Sequence, residues 1–282
     1  MKKLLRIVVL GLILSSNTNA GTFEGKKFVY VDLGNLNTLI KDEDTTDFKR
    51  LEFIRMSEGM EFMNTSGRSA ITGKRKIYRY DAYIFHSIYN SGHKINFFVD
   101  TNYAKNSEKA EKIALRYAKV MGQIPLFLRE GTGLTKFSYG KKELKNKGVR
   151  NIVIPKGTNR ARADIINEQI IIYPQSKLFF KDLILMHEAA HLTIQTKMLK
   201  DDKWLEALMA DGNYITKYAT SSFSEDVAET ISFWVAVRCI EGYSKKKKDK
   251  ILKSIPNRIK YLDQFIIENK LSTSPMVCNL KK

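Results

Sequence analysis

The seven residues Leu185-Met186-His187-Glu188-Ala189-Ala190-His191 constrain this chain more than any other stretch. On a helix, residues four apart lie one above the other, so His187 and His191 can aim both imidazoles at one ion. Glu188 follows the first histidine, where it can act on water rather than serve as a ligand. Phe179, Phe180, Leu183, Ile184, Ala190 and Ile194 recur at helical spacing around the motif. Ser176, after Pro174, reads as the N-cap, and nothing in the sequence breaks the helix before Thr196. The competing reading is an amphipathic helix whose two partly buried histidines are satisfied by backbone or carboxylate partners. The chain has four histidines. His86 and His93 lack metal-ligand spacing and read as structural or exposed.

The first twenty residues stand apart. Lys2, Lys3 and Arg6 precede an apolar run from Ile7 to Leu14, and Ser15 to Ala20 form a small, polar exit. Residues 1–20 therefore read as a signal peptide cleaved after Ala20. The run is too short to span a bilayer, and no later stretch is long and apolar enough to do so. The expectation is an exported chain, periplasmic or secreted, with no transmembrane segment after cleavage. Cys239 and Cys278 suit an oxidising compartment, where one disulfide could pin the C-terminal tail; two separate thiols are the alternative.

Cleavage would remove three of the positive charges behind a formal net charge of +18. Such a balance favours acidic partners, an acidic envelope surface among them, without choosing one. The lysines are scattered apart from Lys245 to Lys248, and no nucleic-acid-binding motif is present, so a specific nucleic-acid partner is not expected. A solvated basic face is the simpler reading of the charge, and the favoured one.

Residues 21–100 read as an N-terminal strand and hairpin region, and residues 101–282 as the unit that carries the motif. Lys27 to Asp32 suggests a short strand, whereas Gly34 to Gly73 is polar and gives no clear period. Ile77 to Ile88 and Ile95 to Asp100 read as strands of a hairpin turning at Asn90-Ser91-Gly92. Ser107 to Met121 has helical periodicity with Gly122 as its stop. Val149 to Ile154 and Gln169 to Tyr173 read as strands separated by a loop, Lys156 to Ala163. The second lies just before the motif helix, where an exposed edge could pair with an extended peptide. An internal strand paired on both sides reads equally well. Helices follow at Asp202 to Ala210, at Ser224 to Ile240, and from the lysine run onward with an interruption at Pro256.

A catalytic zinc has three protein ligands and an open position. Six residues past His191 stands Lys197, so no third histidine follows at the metzincin interval. The search turns to carboxylates, where Glu225 and Glu229 lie four apart on a strongly helical segment and face one way. Ser222-Phe223-Ser224-Glu225 is also a capping-box pattern; if Glu225 reaches back to cap its helix, Glu229 is the better ligand.

Here the chain resembles the lethal-factor-type zinc metallopeptidases. Their H-E-x-x-H helix is paired with a later helix on which a tyrosine precedes the ligand glutamate by seven residues. A second glutamate follows four later after an alanine. Tyr218, Glu225 and Ala228-Glu229 stand at those positions. The resemblance implies Zn2+ ligation by His187, His191 and Glu225, with Glu188 as general base. It further implies that Tyr218 stabilises the transition state and that Glu229 orients a ligand histidine. It covers mainly residues 176 to 240, and Ala190 stands where the family often has glycine. The implied fold is α+β and zincin-like, a small mixed β-sheet packed on a helical catalytic unit. The expected function is hydrolysis of peptide bonds in a peptide or protein substrate. The rivals are a cell-envelope amidase or peptidoglycan hydrolase using the same site, and a non-catalytic exported zinc-binding protein.

Overall fold

A computed structural model describes residues 46–68, 75–132, 148–158, 160–165, 167–174 and 183–281. At 62–68, 75–78 and the short strands 22–23, 26–27, 136–139 and 142–145 it describes the backbone alone. The expected signal peptide, the strand beyond Lys27, the cap Ser176, and Phe179 and Phe180 lie outside the described residues.

Six strands form one open mixed sheet: β1 Phe48–Arg68, β2 Arg75–Tyr89, β3 Lys94–Asp100, β4 Asn151–Ile154, β5 Arg162–Asp164 and β6 Gln169–Ile171. Their spatial order is β1-β2-β3-β4-β6-β5. The first three are antiparallel neighbours, β4 lies parallel to both β3 and β6, and β5 closes the sheet antiparallel to β6. Strands from both sides of residue 100 thus share hydrogen bonds. Along β3, Ile95, Phe97 and Val99 are fully buried on one face, as period-two alternation requires. The opposite face carries a smaller cluster of Tyr80, Ala82, Val153, Ile171 and Tyr173.

Helices cover the sheet and extend beyond it: α1 Thr101–Ala104, α2 Ser107–Gln123, α3 Leu126–Arg129, α4 Leu183–Thr193, α5 Gln195–Met198, α6 Asp202–Asp211, α7 Phe223–Arg238, α8 Lys245–Ser254 and α9 Pro256–Glu268. The architecture is mixed α and β. Asn106 caps α2 by accepting from the Lys109 N–H, and Ala110, Ala114, Tyr117 and Met121 form its buried stripe. Helix α7 is buried on nearly every side from Asp226 to Arg238, because α4 packs on one flank and α9 on another. Trp234 fills its centre, edge-on to Phe127, with its indole N–H donating to Asp263 at 2.9 Å. Among the described residues no helix is long and apolar enough to cross a membrane.

Four sequence expectations change. The polar stretch before residue 73 contains the 21-residue strand β1, whose alternation is scrambled by irregularities near Phe48, Phe53, Ser57 and Asn64. Gly122 lies inside α2 rather than beyond it. Its bare Cα lets the strand approach, because a Cβ there would come within 2.8 Å of the Phe48 backbone nitrogen. The segment read as a loop contributes β5, the edge strand at that end of the sheet, and the Gln169 strand, left open between edge and internal, is internal. The motif helix ends at Thr193, where Ile194 leaves helical geometry before α5 begins.

Cys239 and Cys278 are joined in a disulfide, so the C-terminal tail is tied to the end of α7. Backbone bonds reinforce the tie: Asn279 donates to the Arg238 carbonyl, and the Ser272 and Ser274 carbonyls accept from Phe127 and Leu126.

Candidate metal centre

Helix α4 is buried on nearly every side, and Leu185, Met186, Ala189 and Ala190, all fully buried, pack it against its neighbours. His187 and His191 then face the first turn of α7. Ser222 caps α7 by accepting from the Glu225 N–H at 3.1 Å. That is half of a capping box. The Glu225 carboxylate does not complete it but turns to the histidines.

Three atoms converge. Glu225 Oε2 lies 3.0 Å from His187 Nε2 and 3.2 Å from His191 Nε2, and the two nitrogens are 3.1 Å apart. Tetrahedral ligands on a zinc ion at about 2.0–2.1 Å would sit about 3.3–3.4 Å from one another. The three donors match that spacing closely.

The outer contacts decide what those atoms present. His191 Nδ1 meets the amide oxygen of Gln195, an acceptor, so its proton resides on Nδ1 and Nε2 keeps its lone pair. His187 Nδ1 lies 2.9 Å from Glu229 Oε1. The approach is off the N–H axis, so it is an ion-pair distance more than a well-aligned hydrogen bond. A carboxylate at that nitrogen still favours the proton there. Two imidazole lone pairs and a carboxylate oxygen therefore point at one another, an arrangement that asks for a cation between them. Without one, a proton fills the role. Burial lowers the His187 pKa, but the carboxylates of Glu225 and Glu229, which accept from or face its ring nitrogens, and the charge of Glu188 outweigh it and bring it to about 10. For Glu225 burial opposes ionisation, and the two histidines override it, holding the carboxyl well below the usual range.

Glu188 is 4% exposed. Burial raises its pKa, against the charges of His187 and His191 and a hydrogen bond from the Ala163 N–H. That bond brings edge strand β5 directly over the motif. Tyr218 sits ahead of a 3-10 turn, Ala219–Ser221, and not on the following helix as the resemblance placed it. Its ring is 5.8 Å from that of His187, and its hydroxyl donates to Glu225. Burial and the Glu225 and Glu188 charges raise its pKa, so the phenol stays a proton donor.

The structure brings together His187, Glu188, His191, Tyr218, Glu225 and Glu229. It leaves His93 in a structural role, bonded to the Val149 carbonyl at 2.8 Å. Two members escape the sequence reading. Gln195 stands one turn past His191, a spacing that the sequence does display. Thr216 donates to Glu229 Oε2 at 2.8 Å and accepts from the Ala219 N–H, and no local pattern marks it.

No known family matches the chain, and no curated protein or solved structure matches it either. The family resemblance therefore rests on the residues already named.

Proposed function

We propose that this chain is an exported zinc-dependent peptidase with a zincin-like catalytic unit. The observation that carries the reading is the triangle of His187, His191 and Glu225 lone pairs at 3.0–3.2 Å, with a buried carboxylate, Glu188, beside it. Those three residues group together as candidate metal ligands. A zinc ion held there would act as a Lewis acid and make water a nucleophile near neutral pH.

The chain's own groups supply the rest. Glu188 takes the proton from the attacking water and returns it to the leaving amine. Its burial moves its pKa towards the working range, which suits a group that must both accept and release a proton. The Tyr218 O–H, poised at Glu225, turns to the carbonyl oxygen as negative charge develops. Glu229, backed by Thr216, and Gln195 hold the two imidazoles in the required tautomers. Strand β5, at the sheet edge among the described residues, offers backbone groups beyond the Ala163 N–H given to Glu188 with which an extended substrate can pair. Export is supported by the Cys239–Cys278 disulfide.

The test is zinc content of the chain from residue 21 onward, alongside its action on casein and on purified cell wall. About one zinc with casein cleavage supports the peptidase. Cell-wall digestion alone would favour the amidase, and zinc without turnover a binding protein.

A further inference from the structure

The segment that leads into the sheet edge is basic. Between β4 and the end of β5 it carries Lys156, Arg160 and Arg162, with Asp164 as its acid among the described residues. Asp164 is engaged by the Asn167 side-chain amide at 2.8 Å and the Gln169 side-chain amide at 3.1 Å.

Arg160 is placed by the site itself. Its guanidinium lies 5.8 Å from the centre of the Tyr218 ring, which lies 5.8 Å from the His187 ring. Those two steps span about three extended peptide residues. The aromatic face steadies the cation without neutralising it. Buried arginines elsewhere meet carboxylates: Arg129 meets Asp47 and Glu130, Arg238 meets Asp263, and Arg258 meets Asp211 and Asp226. Arg160 is exposed, and among the described residues no carboxylate pairs with it. The nearby acids are committed, Glu225 and Glu229 to the histidines and Glu188 to Ala163.

We propose that Arg160 binds a carboxylate of the substrate close to the reacting bond and gives the enzyme a preference for acidic peptides. The inference rests on the peptidase reading and names its substrate class. A guanidinium presents two parallel N–H donors to a carboxylate. The carboxylate belongs either to an Asp or Glu side chain or to the free C-terminus of a short peptide.

Three quenched peptide libraries separate these sources. One has internal Glu and an amidated C-terminus, one has Gln in place of Glu, and the third is the Gln library with a free C-terminus. Each is used twice: for cleavage by the zinc-loaded parent, and for equilibrium binding to zinc-loaded Glu188→Gln. Arg160→Gln and Arg160→Lys are made in both backgrounds, with zinc content as the check on folding. A carboxylate library favoured about 10–100-fold over the Gln amide, with that ratio falling towards one in Arg160→Gln and partly kept in Arg160→Lys, is the expected result. Which library shows the preference identifies the source. Cleavage with the same ratio in parent and Arg160→Gln overturns the inference and leaves the peptidase standing. Preferential binding without cleavage of any library upholds the carboxylate site and overturns the peptidase reading. Neither binding nor cleavage overturns both.

Discussion

Glu229 holds the far nitrogen of the histidine whose near nitrogen Glu225 faces. Glu229 Oε1 is 2.9 Å from His187 Nδ1, and Glu225 Oε2 is 3.0 Å from His187 Nε2. One turn of α7 thus separates a ligand carboxylate from a supporting one. Glu225→Ala should abolish stoichiometric zinc, while Glu229→Ala should keep the ion with affinity lower by about 10–100-fold. Competitive titration against a chelating dye checks both. The opposite ranking would move the ligand to Glu229.

Glu188 stands outside the triangle: among the described residues its hydrogen bond comes from the Ala163 N–H, and it meets His187, His191 and Glu225 through charge alone, which sets it apart from the ligands. Glu188→Gln should retain about one zinc and near-parental stability, yet lower kcat by about 10²–10⁴-fold. Zinc content and single-turnover rates on the same preparation check this. Parental turnover in that variant would remove Glu188 from the chemistry.

Proton release should accompany metal binding. In the metal-free protein the His187 pKa of about 10 lies above its unfolded value near 6.5. The contribution of this group to stability is complete below about pH 6.5 and is lost as pH rises towards 10. The Glu225 carboxyl is depressed, so its contribution is present above about pH 4.3 and is lost as pH falls through its lower folded value. Zinc must displace the His187 proton, so apparent affinity should rise with pH up to about 10, by up to tenfold per unit. Calorimetry at pH 8 in buffers of different ionisation enthalpy should report about one proton released. A flat affinity from pH 6.5 to 8.5 would contradict this account.

The centre was more legible than the sheet around it. His187, Glu188 and His191 announce themselves because one helical turn fixes their relation locally, and Glu225 and Glu229 share that logic. Gln195 obeys the same spacing, but a glutamine has no pattern that separates an outer-sphere role from a solvated one. Thr216 and Ala163 reach the site only through tertiary folding. Strand β1 hid for another reason: it is an edge with Phe53, Ile54 and Met56 all exposed, so no buried face imposes an alternating period. Gly122 misled because a glycine near a helix end signals a stop, whereas here it admits a crossing strand. Gly122→Ala should therefore destabilise the fold by about 1–3 kcal/mol, despite the better helix propensity of alanine. Chemical denaturation measures this, and a stabilised variant would show that β1 can yield.

The last helix controls the site from behind. Arg258 is fully buried and donates to Asp211 at 2.9 Å, to Asp226 and to the Asn213 carbonyl, joining α9 to the end of α6 and the start of α7. Asp226 is the neighbour of Glu225, so the ion pair anchors the turn that presents the metal ligand. Burial raises the Asp226 pKa, and the Arg258 charge works to keep it ionised. Removing one partner leaves the other charge buried without its counterion, which costs about 3–5 kcal/mol. Arg258→Met should destabilise the protein by that order. Asp226→Asn, which keeps shape and some hydrogen bonding, should cost less. Where Asp226→Asn folds, its zinc affinity should fall while the Glu188 proton-transfer step, read from the kcat of the zinc-saturated protein, stays near parental. Thermal unfolding with and without added zinc separates the two effects, because the zinc-dependent increment shrinks only if the Glu225 turn has moved. An unchanged increment in a destabilised variant would confine Arg258 to holding the helices together.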